Sequence, residues 1–210
     1  MLKKHFAILE ALNPLIIFEF GAFDGTDTLS YRRSFPEATI YSFEPDRVLY
    51  RAVRAQMKKN DIHFYNYAIS DITGEADFHY LTGVKNNRER SPAGSLYPYT
   101  ADMQRSQGRF WKFPSKLMKV KCVTIKDFCH ENNIPHIDYM HMDVEGAVDR
   151  VLGGMGELRP TIILAETSGR DALFQGAPSQ MENNKLFDAL GYEPDGAHAA
   201  DIMYKLKTEK

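Results

Sequence analysis

Three places in the chain set a carboxylate against a glycine or proline at the end of an apolar run. The first is Glu19-Phe20-Gly21-Ala22-Phe23-Asp24-Gly25, with an acid in the run and glycines four apart in the turn after it. Glycine lets the backbone turn sharply and approach a ligand closely, and the helix that follows offers unpaired N–H groups. The second is Phe43-Glu44-Pro45, whose acid falls 23 residues after Gly21, where a carboxylate can accept both hydroxyls of a ribose. The third is Asp143-Val144-Glu145-Gly146.

The first turn lacks the GxGxxG spacing of a dinucleotide site and carries no basic residue, so it is poorly made for pyrophosphate. Glu19 and Asp24 suit a cationic amino or sulfonium group instead. Two acids without a phosphate cradle point to S-adenosylmethionine rather than a nicotinamide cofactor. A nicotinamide-dependent oxidoreductase and a non-catalytic module that docks a partner are the alternatives.

Methyl transfer from a sulfonium is an in-line displacement, and a hydroxyl nucleophile also needs a base for its proton. Asp143 and Glu145 lead as acceptor-side residues: Asp143 is expected to face cofactor and acceptor, with Glu145 orienting the substrate or capping the next helix. His141 titrates in the working range and is the third catalytic candidate. By alternation it shares a strand face with Tyr139 and Asp143, which suits a packed histidine better than a base. Glu166 closes a neighbouring apolar run, yet separated strand-end carboxylates are ordinary in such folds, and no metal is expected.

These residues need a sheet to bring them together. Short apolar runs alternate with amphipathic stretches, the signature of βα units in a mostly parallel sheet. Strands are predicted at 15–20, 39–43, 62–68, 75–81, 120–124, 138–142, 161–165 and 201–206, and helices at 3–12, 45–57, 125–132, 147–152 and 181–190, with a short one after Gly25. The 210 residues, 43% of them hydrophobic, suffice for one Rossmann-like α/β domain over 1–210, opened by a short helix within 1–14. Cys122 and Cys129 lack metal-ligand spacing and are expected to stay reduced. No run reaches membrane-spanning length and no signal peptide is recognisable, so a cytoplasmic protein is expected.

Thr82 to Met118 breaks the rhythm for about 35 residues, the length of a lid or binding loop. It carries Lys85, Arg88, Arg90, Arg105, Arg109, Lys112 and Lys116 against Glu89 and Asp102, interleaved with Tyr97, Tyr99, Phe110, Trp111 and Phe113. Charge and ring stacking there would suit an anionic glycan or small-molecule acceptor. The formal net charge of −2 argues against a nucleic-acid partner.

Gly21-Ala22, Phe43-Glu44-Pro45, Asn66-Tyr67-Ala68-Ile69-Ser70-Asp71 with Gly74, Ser95-Leu96, Val123-Thr124-Ile125 and Asp143-Val144-Glu145-Gly146-Ala147 together resemble the ordered motifs of the FkbM family of S-adenosylmethionine-dependent methyltransferases. The resemblance spans roughly residues 15–206. It implies a seven-stranded class I methyltransferase sheet with its last strand antiparallel, and an acceptor hydroxyl on a sugar or natural product. By matching position, Glu19, Phe20, Gly21, Ala22, Asp24 and Gly25 would surround the methionine part, Glu44 with Pro45 the ribose, and Ala68 with Ile69 the adenine. Glu19 stands where the family more often has Asp, His141 where Lys is common, and Val148 where an acid often follows.

Overall fold

The computed structural model describes residues 3–82, 90–101, 103, 115–198 and 200–207. In chain order the elements are α1 (Lys3–Leu12), β1 (Ile16–Phe20), α2 (Thr26–Ser34), β2 (Thr39–Phe43), α3 (Arg47–Lys59), β3 (His63–Tyr65), β4 (Ala68–Ile69), β5 (Gly74–Leu81), β6 (Ser115–Val123), α4 (Ile125–Glu131), β7 (Tyr139–Met142), α5 (Val148–Gly153), β8 (Ile162–Glu166), α6 (Gln180–Ala189), β9 (Tyr192–His198) and β10 (Asp201–Leu206). Seven strands form one sheet in the order β3-β2-β1-β7-β8-β10-β9. All neighbours from β3 to β8 run parallel, and β10 is antiparallel to both β8 and β9. This is the class I methyltransferase sheet, with helices on both faces.

Strand alternation decides what each face carries. Phe18 and Phe20 of β1 join Phe43, Met140 and Met142 in a core closed by Phe128 of α4, Val151 of α5 and Phe187 of α6. Ile17 points the other way, to Ile40, Tyr139 and Leu164, under Leu9 of α1, Tyr31 of α2 and Met57 of α3. Such continuous apolar strands suit a sheet covered on both sides. Glu19 is the exception in β1, a buried acid aimed at α2.

The strand order reverses between β1 and β7, so their C-terminal ends flank the crevice where open α/β sheets bind ligands. Gly21 makes that juncture possible. Its φ is +86°, and a Cβ there would lie 1.9 Å from the Asp143 carbonyl oxygen. The Gly21 and Ala22 amides both donate to the Phe43 carbonyl (3.0 and 3.1 Å), while the Asp143 amide donates to the Phe20 carbonyl (3.0 Å). All three strand ends are thereby stitched together at one point.

The expected strand 62–68 is two. β3 ends at Tyr65, where Asn66 turns the chain by donating its side-chain amide to the carbonyls of Glu44 (2.8 Å) and Pro45 (2.9 Å). β4 then joins β6 and β5 in a separate three-stranded sheet. β6 starts at Ser115, earlier than the expected 120, because Gly74–Leu81 pairs antiparallel with Ser115–Cys122 along its whole length. Lys116 and Met118 therefore belong to a strand rather than a lid. Tyr192–His198, not expected as a strand, forms the sheet's outer edge, a place that tolerates Pro194 because its missing N–H faces no partner strand.

Gly21→Ala should lower the thermal midpoint by about 5–10 °C, since a left-handed backbone with a Cβ against a carbonyl costs about 2–3 kcal/mol in a domain of this size. Differential scanning calorimetry beside the Ala22→Ser control checks this; an unchanged midpoint would mean that the strand ends can part without penalty.

Candidate active site

A crevice of about 950 Å³, including solvent-open space, lies over the ends of β1, β2 and β7. Glu19, Phe20, Gly21, Ala22 and Asp24 form one wall, Glu44 and Pro45 another, and Ala68 with Ile69 a third; Asp143 closes the end. Gly25 does not line it. It starts α2 in a left-handed conformation (φ +76°), with no room for a Cβ because Met57 Cε would lie 2.1 Å away. Tyr67 and Leu96, which fall within the quoted motifs without an assigned role, supply apolar lining together with Phe78 and Tyr80, which no motif marked.

The crevice is lined by Glu19, Asp24, Asp27, Glu44, Asp46 and Asp143, with no Lys, Arg or His among the lining residues. Glu44 is buried, and its two oxygens accept the backbone amides of Phe23 (2.9 Å) and Asp46 (2.7 Å). Each oxygen keeps a lone pair free. Glu19 accepts from Ser42 (2.8 Å) and from Thr28, whose hydroxyls were not foreseen as partners. Burial pushes Glu44 up to about 8 and Glu19 up to about 7, against the lowering pull of those hydrogen bonds.

His141 lies elsewhere. Its side chain is buried on the α2 face, with Nδ1 3.1 Å from the Tyr31 hydroxyl, and it does not line the crevice. Tyr31 in turn sits 3.2 Å from the Tyr139 hydroxyl, so the three form a buried polar stack. Asp143, beyond the end of the strand, turns away from that stack into the crevice.

Behind Asp143 the structure gathers Glu145 and Glu166, with carboxylate oxygens of all three within 4.8 Å of one another. Arg170 bridges two of them, Nη1 to Glu145 (2.6 Å) and Nη2 to Glu166 (2.7 Å). Glu145 is neither solvated nor a helix cap: its backbone is left-handed (φ +48°), and its carbonyl accepts the Ser95 hydroxyl (2.7 Å). Non-glycine residues held in this conformation concentrate at functional sites. Asp143 is an exposed residue whose carboxyl lies beside Glu145 and Glu166; the desolvation it meets on that side and the charges of Glu145, Glu166 and Asp201 raise it above the usual carboxylate range, and desolvation and Glu166 push Glu145 up to about 7.

The described part of the expected lid is built into the protein. Arg90 pairs with the buried Asp46 (3.1 Å) and lies over the Tyr80 ring (4.0 Å). The Tyr97 hydroxyl donates to Asp149 (2.7 Å), and the Tyr99 ring packs on Phe174 (5.4 Å). Lys85, Arg88, Glu89, Asp102, Arg105, Arg109, Phe110, Trp111, Lys112 and Phe113 lie outside the described residues. No helix of the described residues is long and apolar enough to cross a membrane.

A crevice of this chemistry, at the switch point of this sheet, fits S-adenosylmethionine. Its diol matches the Glu44 carboxylate, its net positive charge matches a wall of acids, and a phosphate-bearing cofactor would find no cation among the described lining residues. The sheet and site thus define a class I methyltransferase. Residues 19–194 match the Methyltransferase FkbM domain, and the chain belongs to that family of S-adenosylmethionine-dependent enzymes. It is 28% identical over 186 residues to the 2-O-methyltransferase NoeI of Sinorhizobium fredii, covering 88% of this chain and 74% of that one. A Staphylococcus aureus structure provisionally assigned as a caffeoyl-CoA O-methyltransferase shares the fold at a TM-score of 0.54, with 8% identity over 96% of this chain and 80% of that one.

Raised carboxyl groups make stability fall with pH. Glu19 and Glu44 keep their protons in the fold up to about 7 and about 8 but lose them near 4.5 when unfolded. Their stabilisation is therefore full below pH 4.5 and is lost as pH rises through 7 to 8. The thermal midpoint of the cofactor-free protein should drop between pH 5.5 and pH 8.5, and Glu44→Gln should flatten the slope. A midpoint rising over that range would contradict the burial of these acids as neutral groups.

Proposed function

We propose that this methyltransferase transfers the methyl group of S-adenosylmethionine to a hydroxyl oxygen of a sugar or sugar-bearing acceptor. The observation that carries the reading is the position of Asp143, which alone among the described residues belongs both to the cofactor crevice and to the carboxylate cluster behind it. Carboxylates grouped at a cleft are natural acceptors for the several hydroxyls of a sugar, because each offers fixed lone pairs to O–H donors. The 2-O-methyltransferase activity in the name of the NoeI relative, methyl transfer to oxygen, supports a hydroxyl nucleophile.

S-adenosylmethionine supplies the electrophilic methyl group when bound. Gly21 and Ala22 bring backbone close to the methionine portion, with Glu19 and Asp24 opposite its positive charge. Glu44, fixed by two amides, accepts the ribose hydroxyls; Pro45, Ala68 and Ile69 border the base. Asp143 accepts the proton of the acceptor hydroxyl. Its raised affinity for a proton suits that role, since a general base works best when its pKa lies near the working pH. Glu145 holds the acceptor's other hydroxyls, and His141 acts on the packing of β7 against α2 rather than on the acceptor.

Incubating the enzyme with methyl-labelled S-adenosylmethionine and a panel of methyl pyranosides should give a labelled methyl ether, identified by mass spectrometry. Asp143→Asn should lower turnover by about 100-fold or more while leaving S-adenosylhomocysteine affinity within a few-fold. Glu44→Ala should instead weaken that affinity by about 100-fold, the loss of charge-assisted hydrogen bonds worth about 2.7 kcal/mol. Label appearing only on nitrogen or carbon would refute the oxygen acceptor.

A further inference from the structure

Three carboxylates whose oxygens lie within 4.8 Å of one another cannot all stay ionised without a counter-charge, and where that charge sits decides which of them takes a proton. Arg170 is the cation there. Its two terminal nitrogens are both engaged, one by Glu145 and one by Glu166. Among the described residues no cation pairs with Asp143. Arg170 thus lowers the proton affinity of each glutamate relative to the aspartate, and Asp143 is left as the carboxylate of the three that binds a proton most readily.

The setting of Arg170 is built. It lies four residues beyond Glu166, in a turn whose Leu173 and Phe174 amides return to its carbonyl (3.0 and 2.8 Å). Phe174 is fully buried and bridges Tyr99, tying that turn to the segment before it. Gly146, at φ +90°, packs closely enough that a Cβ would stand 3.0 Å from Ala177, 3.2 Å from Phe174 and 3.5 Å from the Arg170 Cβ. The strained Glu145 backbone is therefore locked against the arginine's own turn. A guanidinium is the group for this task, because its planar fork serves two carboxylates at once where an ammonium is a point charge.

We propose that Arg170 is a positioning residue for methyl transfer: by clamping Glu145 and Glu166 it leaves Asp143 as the group that takes the acceptor proton. The inference rests on the hydroxyl-acceptor reading above. In the step itself the Asp143 carboxylate takes the hydroxyl proton, the hydroxyl oxygen forms its bond to the methyl carbon, and the methyl–sulfur bond breaks with its electron pair passing to sulfur. Products are a methyl ether, neutral S-adenosylhomocysteine and protonated Asp143, which returns its proton to water. The groups facing Asp143 are Glu145 from its own turn, Glu166 at the end of β8, and Asp201 on β10, paired in register with Glu166; Arg170 reaches it through the two glutamates it holds. Tyr99, from the segment packed on that turn, faces Glu145.

The test needs no acceptor. Side-chain carboxyl groups are labelled with carbon-13 and titrated by NMR in the full chain saturated with S-adenosylhomocysteine, which fills the crevice without a sulfonium charge. In the wild type Asp143 should be the last of the three to lose its proton. In Arg170→Met the midpoints of Glu145 and Glu166 should rise by about one pH unit or more and overtake Asp143; Arg170→Lys should restore one glutamate and not both. Unchanged glutamate midpoints in the Met variant, or Asp143 ionising first in the wild type, would overturn the proposal. S-adenosylhomocysteine affinity reports folding, and if the Met variant does not fold, the Lys variant carries the same reading through its one released glutamate. With a methyl pyranoside that serves as acceptor, Arg170→Lys should lower kcat by about tenfold with the KM for S-adenosylmethionine unchanged; an unchanged kcat would also overturn the proposal. Absence of transfer to every pyranoside would count against the proposed function and leave the titration result standing.

Discussion

Acids buried without a cation of their own govern this molecule. Six acids line a crevice with no basic side chain among its described lining residues; only Asp46 has a cation, Arg90 beside it, and two of the others, Glu19 and Glu44, are almost wholly buried. An ionised carboxylate is costly in such a place unless hydrogen bonds or a cation stabilise it. The fold supplies the hydrogen bonds, through Ser42 and Thr28 for one acid and two backbone amides for the other. The missing cation is the ligand's to bring. The same logic runs differently behind Asp143, where the protein provides its own cation in Arg170.

The sheet makes this arrangement possible. Phenylalanines and methionines on one face and the Ile17 to Tyr139 cluster on the other hold β1, β2 and β7 rigidly side by side. Their ends are therefore fixed relative to one another, and the turn residues inherit that precision. Gly21 is the tightest point, since the space of its absent side chain is taken by the Asp143 carbonyl. The glycine turn after β1 and Asp143 are parts of one backbone juncture rather than two separate loops.

Much of this was legible in the sequence because it is written locally. An apolar run closed by a glycine turn, as in Ile16 to Gly21, announces a covered strand and the crevice at its end. Glu44 is found from its distance to that turn, and the resemblance to the FkbM motifs implies the seven-stranded sheet and its antiparallel last strand. What escaped depends on the third dimension. The split after Tyr65 is made by an Asn66 side chain reaching back to Glu44, and β6 begins early because β5 offers it a full-length partner. β9 forms at an edge despite Pro194 and Gly196. Arg170 carried no signal: four residues after Glu166 it reads as an ordinary surface pair, and only the fold brings Glu145 to its other nitrogen. His141, a candidate by type, is drawn into a tyrosine stack that no spacing revealed.

The most direct measurement of the central claim, that buried acids await a cationic adenosyl ligand, is the proton balance of binding. Isothermal titration of S-adenosylmethionine at pH 7, repeated in buffers of different ionisation enthalpy, counts the protons released. With Glu19 held near 7 and Glu44 near 8 in the empty crevice, binding that requires their ionised forms should release about one proton per site. Binding with no proton release, or with uptake, would contradict the account.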